Sequence, residues 1–426
     1  MTAVTPVRAM TIPAARRSYA KTTIVAAVCA AALAVALVAM LCLPRVVLFT
    51  HLPVPPLAWM LWVLACGALL AGLAIAVAIT SGGLISLRRD SLEARGLPYA
   101  DRVPRERAAG PLSRTLRRLH LSTPGLLPGD WVEVRSLPEI LRTLDSNCRL
   151  DGLPFMPEMA AFCGRRLRVL RRVEKINDYV NESGLRRMRH AVLLEAVRCG
   201  GEGHGGCQAG CHIIWKEAWL KASGQKSPAT LPARELDLHA CASRVNDNGE
   251  RIYLCQMTEV AGATSPLSWS DPRHYLRDFM QGNVRLGYFL LGICVGLFNW
   301  LQRRRGGARF PSITAPPGSS SPQLTLGLQP GQLVRVRSKR EIEATLNRRY
   351  RNRGLWFDGE MLRFCGGRYR VARRIERLID ERTGRLLTLT NPTIVLEGVT
   401  ATGEYLAFCP QNEFCFWREI WLEPLP

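Results

Sequence analysis

The chain has 426 residues, with 57 Lys and Arg against 35 Asp and Glu, for a formal charge of +22. That length allows two or three folding units. The charge excludes an acidic, solvating chain and points to anionic partners: nucleic acid, acidic protein or lipid.

Residues 1–21 form a basic N-terminal tail with Arg8, Arg16, Arg17 and Lys21. TTIVAAVCAAALAVALVAMLCL follows, then a short connection carrying Arg45, then LAWMLWVLACGALLAGLAIAVAIT from Leu57. Each apolar run reaches the roughly 20 residues needed to cross a hydrocarbon core, so 22–87 reads as a transmembrane helical hairpin. The first run is longer than a signal-peptide core, has no small-x-small site after it and is followed at once by a second run, which favours an anchor over a cleaved leader. Segment 88–122 is a basic juxtamembrane stretch with Arg88, Arg89, Arg95, Arg102, Arg105 and Arg107. Arginines flank the open end of the hairpin, and the positive-inside rule then places both ends in the cytoplasm. In that reducing compartment structural disulfides are rare. Clustered cysteines there read as metal ligands or redox groups.

The remaining chain contains itself twice. PGDWVEVRS at Pro128 matches PGQLVRVRS at Pro330, and FCGRRLRVLRRVE at Phe162 matches FCGGRYRVARRIE at Phe364. LLEAV at Leu193 matches VLEGV at Val395, and WKEAWL at Trp215 matches WREIWL at Trp417. Every pair lies 202 positions apart, and roughly a third of the aligned residues are identical, the mark of a duplicated unit. Repeat one is placed at 123–222 and repeat two at 326–426. Each copy alternates Arg with Val, Leu or Ile, carries one short helix (EILRTLD, EIEATLN) and shows turn signals at NESGL and ERTGR. The expected fold is mainly β: two tandem SH3-like small barrels of about 95 residues each behind the helical hairpin, with a five-strand OB-type barrel as the alternative. The connecting region 223–305 holds LGYFLLGICVGLFNWL. Its basic flanks oppose a crossing, so 284–302 reads as a membrane-surface or re-entrant helix. A flexible Pro/Gly/Ser linker follows at 306–325.

The repeat sorts the cysteines. Cys163 is matched by Cys365 and Cys207 by Cys409, whereas Cys199 falls on Ala401 and Cys211 on Glu413. Repeat one therefore carries a four-thiolate set, Cys163, Cys199, Cys207 and Cys211, with Cys255 as a further ligand and Cys241 and His204 behind it. Four thiolates suit tetrahedral Zn²⁺ or an iron–sulfur cluster. The glycines of CGGEGHGGCQAGC let a backbone wrap closely around an ion. Repeat two has Cys365, Cys409 and Cys415, one thiolate short. Buried thiols acting as small hydrophobes are the alternative, above all for Cys163 and Cys365. Gly201, Gly203 and Gly206 spell G-x-G-x-x-G, but without the strand, helix and distal acid of a dinucleotide site.

Trp215, Glu217 and Trp219 share one face if their segment is a strand, as do Trp417, Glu419 and Trp421, and core packing is their expected role. Glu195 and Glu397 lack a shared histidine partner, so pairing with the arginine-rich strand is expected rather than acid–base catalysis. Arginines such as Arg165, Arg166, Arg168, Arg171, Arg172, Arg368, Arg370, Arg373 and Arg374 form basic faces. Beside a membrane these attract anionic head groups, and no nucleic-acid motif accompanies them.

FCGRRLRVLRRVEK, GGCQAGCHIIWKEAWL and YLCQMTE, with the second set FCGGRYRVARRIE, NPTIVLEGV and FWREIWLE, resemble a widespread bacterial family of membrane-anchored proteins with no assigned activity. The resemblance covers about 300 residues. Family members carry a cysteine where this chain has Ala401. The resemblance implies the bacterial inner (plasma) membrane. The resulting expectation is a non-enzymatic, membrane-anchored binding protein whose first repeat is stabilised by Cys-ligated metal. Its partners would be anionic lipid and an unidentified protein. An iron–sulfur or thiol-based redox protein is the alternative.

Overall fold

The computed structural model describes residues 12–50, 56–94, 125–179, 181, 183–222, 235–315 and 321–426. The basic segment 95–122 and the core of the linker, 316–320, lie outside them. Two long helices come first, α1 (Ile12–Thr50) and α2 (Pro56–Ala94), packed on each other. Among the described residues, two helices are long and apolar enough to cross a membrane, over Ala15–Val38 and Leu64–Arg89. Their outer faces expose Ile24, Val28, Val35, Leu64, Leu70 and Val77.

The apolar run of the connecting region forms the helix Leu286–Arg304, which packs on α2. Gly82 makes the approach possible, since a Cβ there would stand 2.3 Å from the Cys294 carbonyl oxygen. Phe298 is fully buried against Tyr19 of α1, with ring centroids 5.4 Å apart. The buried Gln302 side chain accepts hydrogen bonds from Thr22 Oγ1 (3.0 Å) and Ser18 Oγ (3.3 Å).

The rest of the chain is rich in strand and builds two curled antiparallel five-stranded sheets. The first has the order His212–Lys216, Ala191–Arg198, Arg166–Arg172, Trp131–Val134, Leu220–Ala222. The second runs Phe414–Trp417, Leu386–Thr400, Arg368–Ile379, Leu333–Val336, Leu422–Pro424. Their registers coincide under the 202-residue offset. Val132 pairs with Leu167 and Ala222, and Val334 with Tyr369 and Pro424. Val169 pairs with Leu194, and Val371 with Leu396. Both sheets carry a register shift just after that pair, where the extra residue bends the strand.

The short helices Leu137–Leu141 and Lys339–Glu343 fall where the sequence places them, each behind a capping box from Ser136 with Glu139 and Ser338 with Glu341. In each copy two tryptophans fill the centre. Trp215 and Trp219 meet Phe155 and Phe162 edge-on, and Trp417 and Trp421 meet Phe357 and Phe364 in the same way. All four tryptophans are fully buried.

The Trp-x-Glu-x-Trp segment is not one continuous strand. Strand ends at Lys216, and Glu217–Trp219 forms a 3-10 turn that lets Leu220–Ala222 run back along Trp131–Val134. Glu217 accepts from Arg172 Nη1 (2.7 Å) and the Leu126 amide (3.1 Å), and Glu419 accepts from Arg374 Nη1 and the Leu326 and Leu328 amides. Arg172 is therefore an interior group, 4% exposed, and not part of a solvated basic face.

Candidate metal centre

The cysteine-rich loop links the strands Ala191–Arg198 and His212–Lys216, and its path is that of the matching loop in repeat two. In repeat one, His204 and Gly206 donate to the Gly201 carbonyl and Cys207 to that of His204. In repeat two, Leu406 and Phe408 donate to Gly403 and Cys409 to Leu406. Gly201 and Gly403 both hold positive φ, and a Cβ at either would strike the carbonyl of Cys207 or Cys409, at 1.9 and 2.2 Å. The left-handed positions of Gly205, Gly206 and Gly210 are occupied in repeat two by Ala407, Phe408 and Asn412. The glycines thus answer loop geometry common to both copies rather than the needs of an ion.

The side chains differ. Glu158, in the 3-10 turn Pro157–Phe162, brings its carboxylate to Cys199 Sγ (2.9 Å) and His204 Nδ1 (2.9 Å). The ligating atoms of Glu158, Cys199 and His204 all lie within 4.8 Å of one another. His204 is 1% exposed, and the buried Glu158 Oε2 and His204 Nε2 have no hydrogen-bond partner among the described residues. Buried polar atoms are almost always satisfied, so this trio presents open lone pairs inside the protein. Repeat two supplies the control. Its matching acid, Glu360, accepts from the Thr402 and Tyr405 amides and from Thr402 Oγ1 at 2.8–2.9 Å, and so ties its loop down with no help from a ligand.

Next to the trio, Cys199, His204, Cys207, Cys211 and Cys255 line one cavity of about 30 Å³, with Met156, Met257 and Ile379. That is room for a single ion or a water or two. Cys255 is held there by its neighbour Gln256, whose side chain bonds both the amide and carbonyl of Ile214 (2.8 Å each) and the Pro154 carbonyl (3.1 Å). Four of the five thiols predicted for repeat one thus share a cavity. Cys163 is not on its wall; it ends the Pro157–Phe162 turn and packs on the first core. Of the thiols, only Cys199 belongs to the close trio.

In repeat two, Cys365 and Cys415 are buried in the second core near Tyr369. Cys409 lies apart and donates to Gln411 Oε1 (3.1 Å). Cys241 is unavailable as a ligand, because it forms a disulfide with Cys148 across a Cα separation of 6.1 Å. That bond departs from the expectation of reduced thiols, and nothing in a spacing of 93 residues announces it.

Burial pushes Cys163 up to about 11 and Cys255 up to about 12. It raises Cys199 as well, with Glu158 adding to the effect, and Cys211, with Glu413 adding. These thiols stay protonated at neutral pH, which opposes nucleophilic or exchange chemistry, and a metal must displace their protons. Burial also raises the Glu158 carboxyl, but the His204 ring and the Cys199 thiol outweigh it and hold the acid below its ordinary value. Glu195 stands 3.4 Å from Arg168, a structural pair. Sequence reasoning missed Glu158 as a ligand. The signal was its match with Glu360, five residues before the Cys163–Cys365 pair.

A second buried polar cluster joins repeat one to the helix Pro272–Met280. Lys175 Nζ forms an ion pair with Asp278 Oδ2 (2.5 Å) and lies 3.1 Å from His274 Nδ1 beneath the Tyr275 ring. Burial, then the Lys175 charge, lowers His274 to about 4. The folded pKa is depressed, so this group's stabilising contribution is complete above about 6.5 and is lost as pH falls through 4. Denaturant titrations between pH 7 and 4 should show a steeper loss of stability for the native chain than for His274→Gln, and equal slopes would refute the assignment.

No family model matches the chain, and no curated protein or solved structure matches it.

Proposed function

We propose that the chain is a non-enzymatic membrane-anchored binding protein: two SH3-like repeats on a transmembrane hairpin, the first repeat organised by one bound metal ion, with zinc as the best fit. The observation that carries the reading is the contrast between Glu158 and Glu360. One scaffold closes its loop with backbone amides, and the other leaves a carboxylate, a thiol and an imidazole open to a ligand. Nitrogen, sulfur and oxygen donors together suit Zn²⁺, with Cys255 or Cys207 beside the trio to complete four. The SH3-like assignment is supported by the strand order fifth–first–second–third–fourth and by the 3-10 turn before the fifth strand in both copies.

Anionic lipid is the proposed surface partner. Arg303 stands over exposed Trp269 (5.2 Å) and Arg304 over Trp300 (4.9 Å), an aromatic and basic pairing suited to a membrane interface. The basic flanks of the hairpin favour the cytoplasmic side, whereas the Cys148–Cys241 bond argues for an oxidising one. Protease accessibility of the strand-rich part in sealed, oriented vesicles decides between them.

Purified protein should carry one zinc per chain. Glu158→Ala and Cys199→Ser should each lose it, and Cys409→Ser should keep it. With free zinc about 1,000-fold above Kd, the ion adds about 4 kcal/mol of stability, visible as a fall in Tm after chelation. The four thiols on the cavity wall are the donor set of one rival, an iron–sulfur cluster, which needs more room than the cavity offers. Brown protein with iron and sulfide would replace the zinc reading, and metal-free protein that folds normally would end both.

A further inference from the structure

We propose that the metal centre is a latch between the two repeats: the ion fixes the 199–211 loop in the shape on which the long hairpin of the second sheet is seated. This deepens the metal reading above and rests on it.

The second sheet reaches farther than the first. Its strands Arg368–Ile379 and Leu386–Thr400 form an arm of 12 and 15 residues, while repeat one breaks the same stretch after Arg172. The end of that arm covers the metal loop. Ile379 supplies one wall of the cavity, and its amide donates to Cys207 Sγ (3.4 Å). Gln208 then acts as an added strand residue. Its amide donates to the Arg377 carbonyl (3.0 Å), and its side-chain oxygen accepts from the Glu376 (2.7 Å) and Arg377 (3.0 Å) amides. Arg373 Nη2 donates to the Ala209 carbonyl (3.1 Å). Phe414 lies between two guanidiniums, Arg198 at 4.0 Å and Arg373 at 4.9 Å.

Three of these five hydrogen bonds go to loop backbone or to Cys207 and two to the Gln208 side chain, so the set holds only while the loop keeps one path. Cys207 has both duties, with its sulfur on the cavity wall and in a hydrogen bond to the arm. Binding of an ion to a loop that docks must strengthen the docking, and docking must strengthen binding by the same factor. The matching loop of repeat two docks with no open ligand set. Its Phe408 ring lies 6.2 Å from Phe289 of the Leu286–Arg304 helix, and Glu404 holds Arg89 of α2. One loop, used twice, thus builds a chain of contacts from the membrane helices through repeat two to repeat one. The metal sits at its outer joint.

The test uses the full chain in detergent micelles and reads hydrogen exchange by mass spectrometry with zinc, after chelation and after zinc is restored. Chelation should speed exchange of the 376–379 amides at least tenfold, and zinc should reverse it. Gln208→Ala, which touches no ligand atom, should raise exchange in the same strand while keeping one zinc per chain, and should weaken zinc affinity by no more than the factor by which chelation speeds exchange. Stoichiometric zinc with exchange at 376–379 unchanged by its removal would overturn the latch and leave the metal site standing. Failure to bind zinc at all would remove both.

Discussion

Glu404→Gln is expected to cost about 3–5 kcal/mol and to separate the α1–α2 pair from repeat two. Glu404 holds two arginines at once: Arg89 Nη1 at 2.6 Å, from the end of α2, and Arg363 Nη2 from the second repeat. The three residues are 8%, 5% and 7% exposed. Tyr405 and Tyr288 accept further hydrogen bonds from Arg89 and Arg363. Neutralising the acid leaves two guanidinium charges in a site with little water. Removing one partner of a buried ion pair typically costs that much, because the other charge stays buried. Replacing the whole triad by methionines should cost less than Glu404→Gln alone, because no charge is then stranded. Thermal unfolding of the detergent-solubilised variants checks both statements. A triple variant less stable than Glu404→Gln would show that the triad is a source of stability and not a compensated burden.

Much of this architecture could be read from the residues because burial leaves a periodic trace. The alternation in RRLRVLRRVE sets Val169 inward, and the 202-residue offset implies that the two copies share one register. What the alternation could not show is that Arg172 and Arg374 also point inward, since an arginine reads as a surface residue until its acid is found. Those acids, Glu217 and Glu419, lie 45 positions away in each copy. The tryptophan segment misled in another way. A period of two survives into Glu217–Trp219, but the chain must turn there to bring its last strand beside its first, and the period says nothing about turns. At the site, the spacing of thiols was visible and their depth was not. Cys163 follows the same Phe as Cys365 and is a packing residue in the same way, while the trio drew an acid from 41 residues upstream of Cys199. Metal sites close in space, and a sequence ranks ligands by proximity along the chain. The internal repeat was the better guide, because it separates what the scaffold needs from what only one copy carries.

That separation also fixes the expected cost of Trp417→Ala, about 3–5 kcal/mol, the range for deleting a fully buried aromatic. Trp417 is 0% exposed and meets Phe357, Phe364 and Trp421 edge-on at 6.3–6.4 Å. Its indole nitrogen has no hydrogen-bond partner among the described residues, so the loss is one of packing. Trp421 differs, donating to Thr345 Oγ1 at 2.9 Å, and its removal also strands a hydroxyl acceptor. Trp417→Phe should recover about half of the loss, since a phenyl ring refills part of the cavity. The matching change, Trp215→Ala, empties an equivalent space beside Phe155 and Phe162, but there the strand it leaves, His212–Lys216, also forms the exit of the metal loop. Trp215→Ala should therefore lower zinc content as well as stability, and Trp417→Ala should lower zinc content less, because it reaches the ion only through the docked arm. Denaturant unfolding followed with metal analysis separates the two. Equal zinc loss in both variants would mean that the ion depends on the fold as a whole and not on the first repeat.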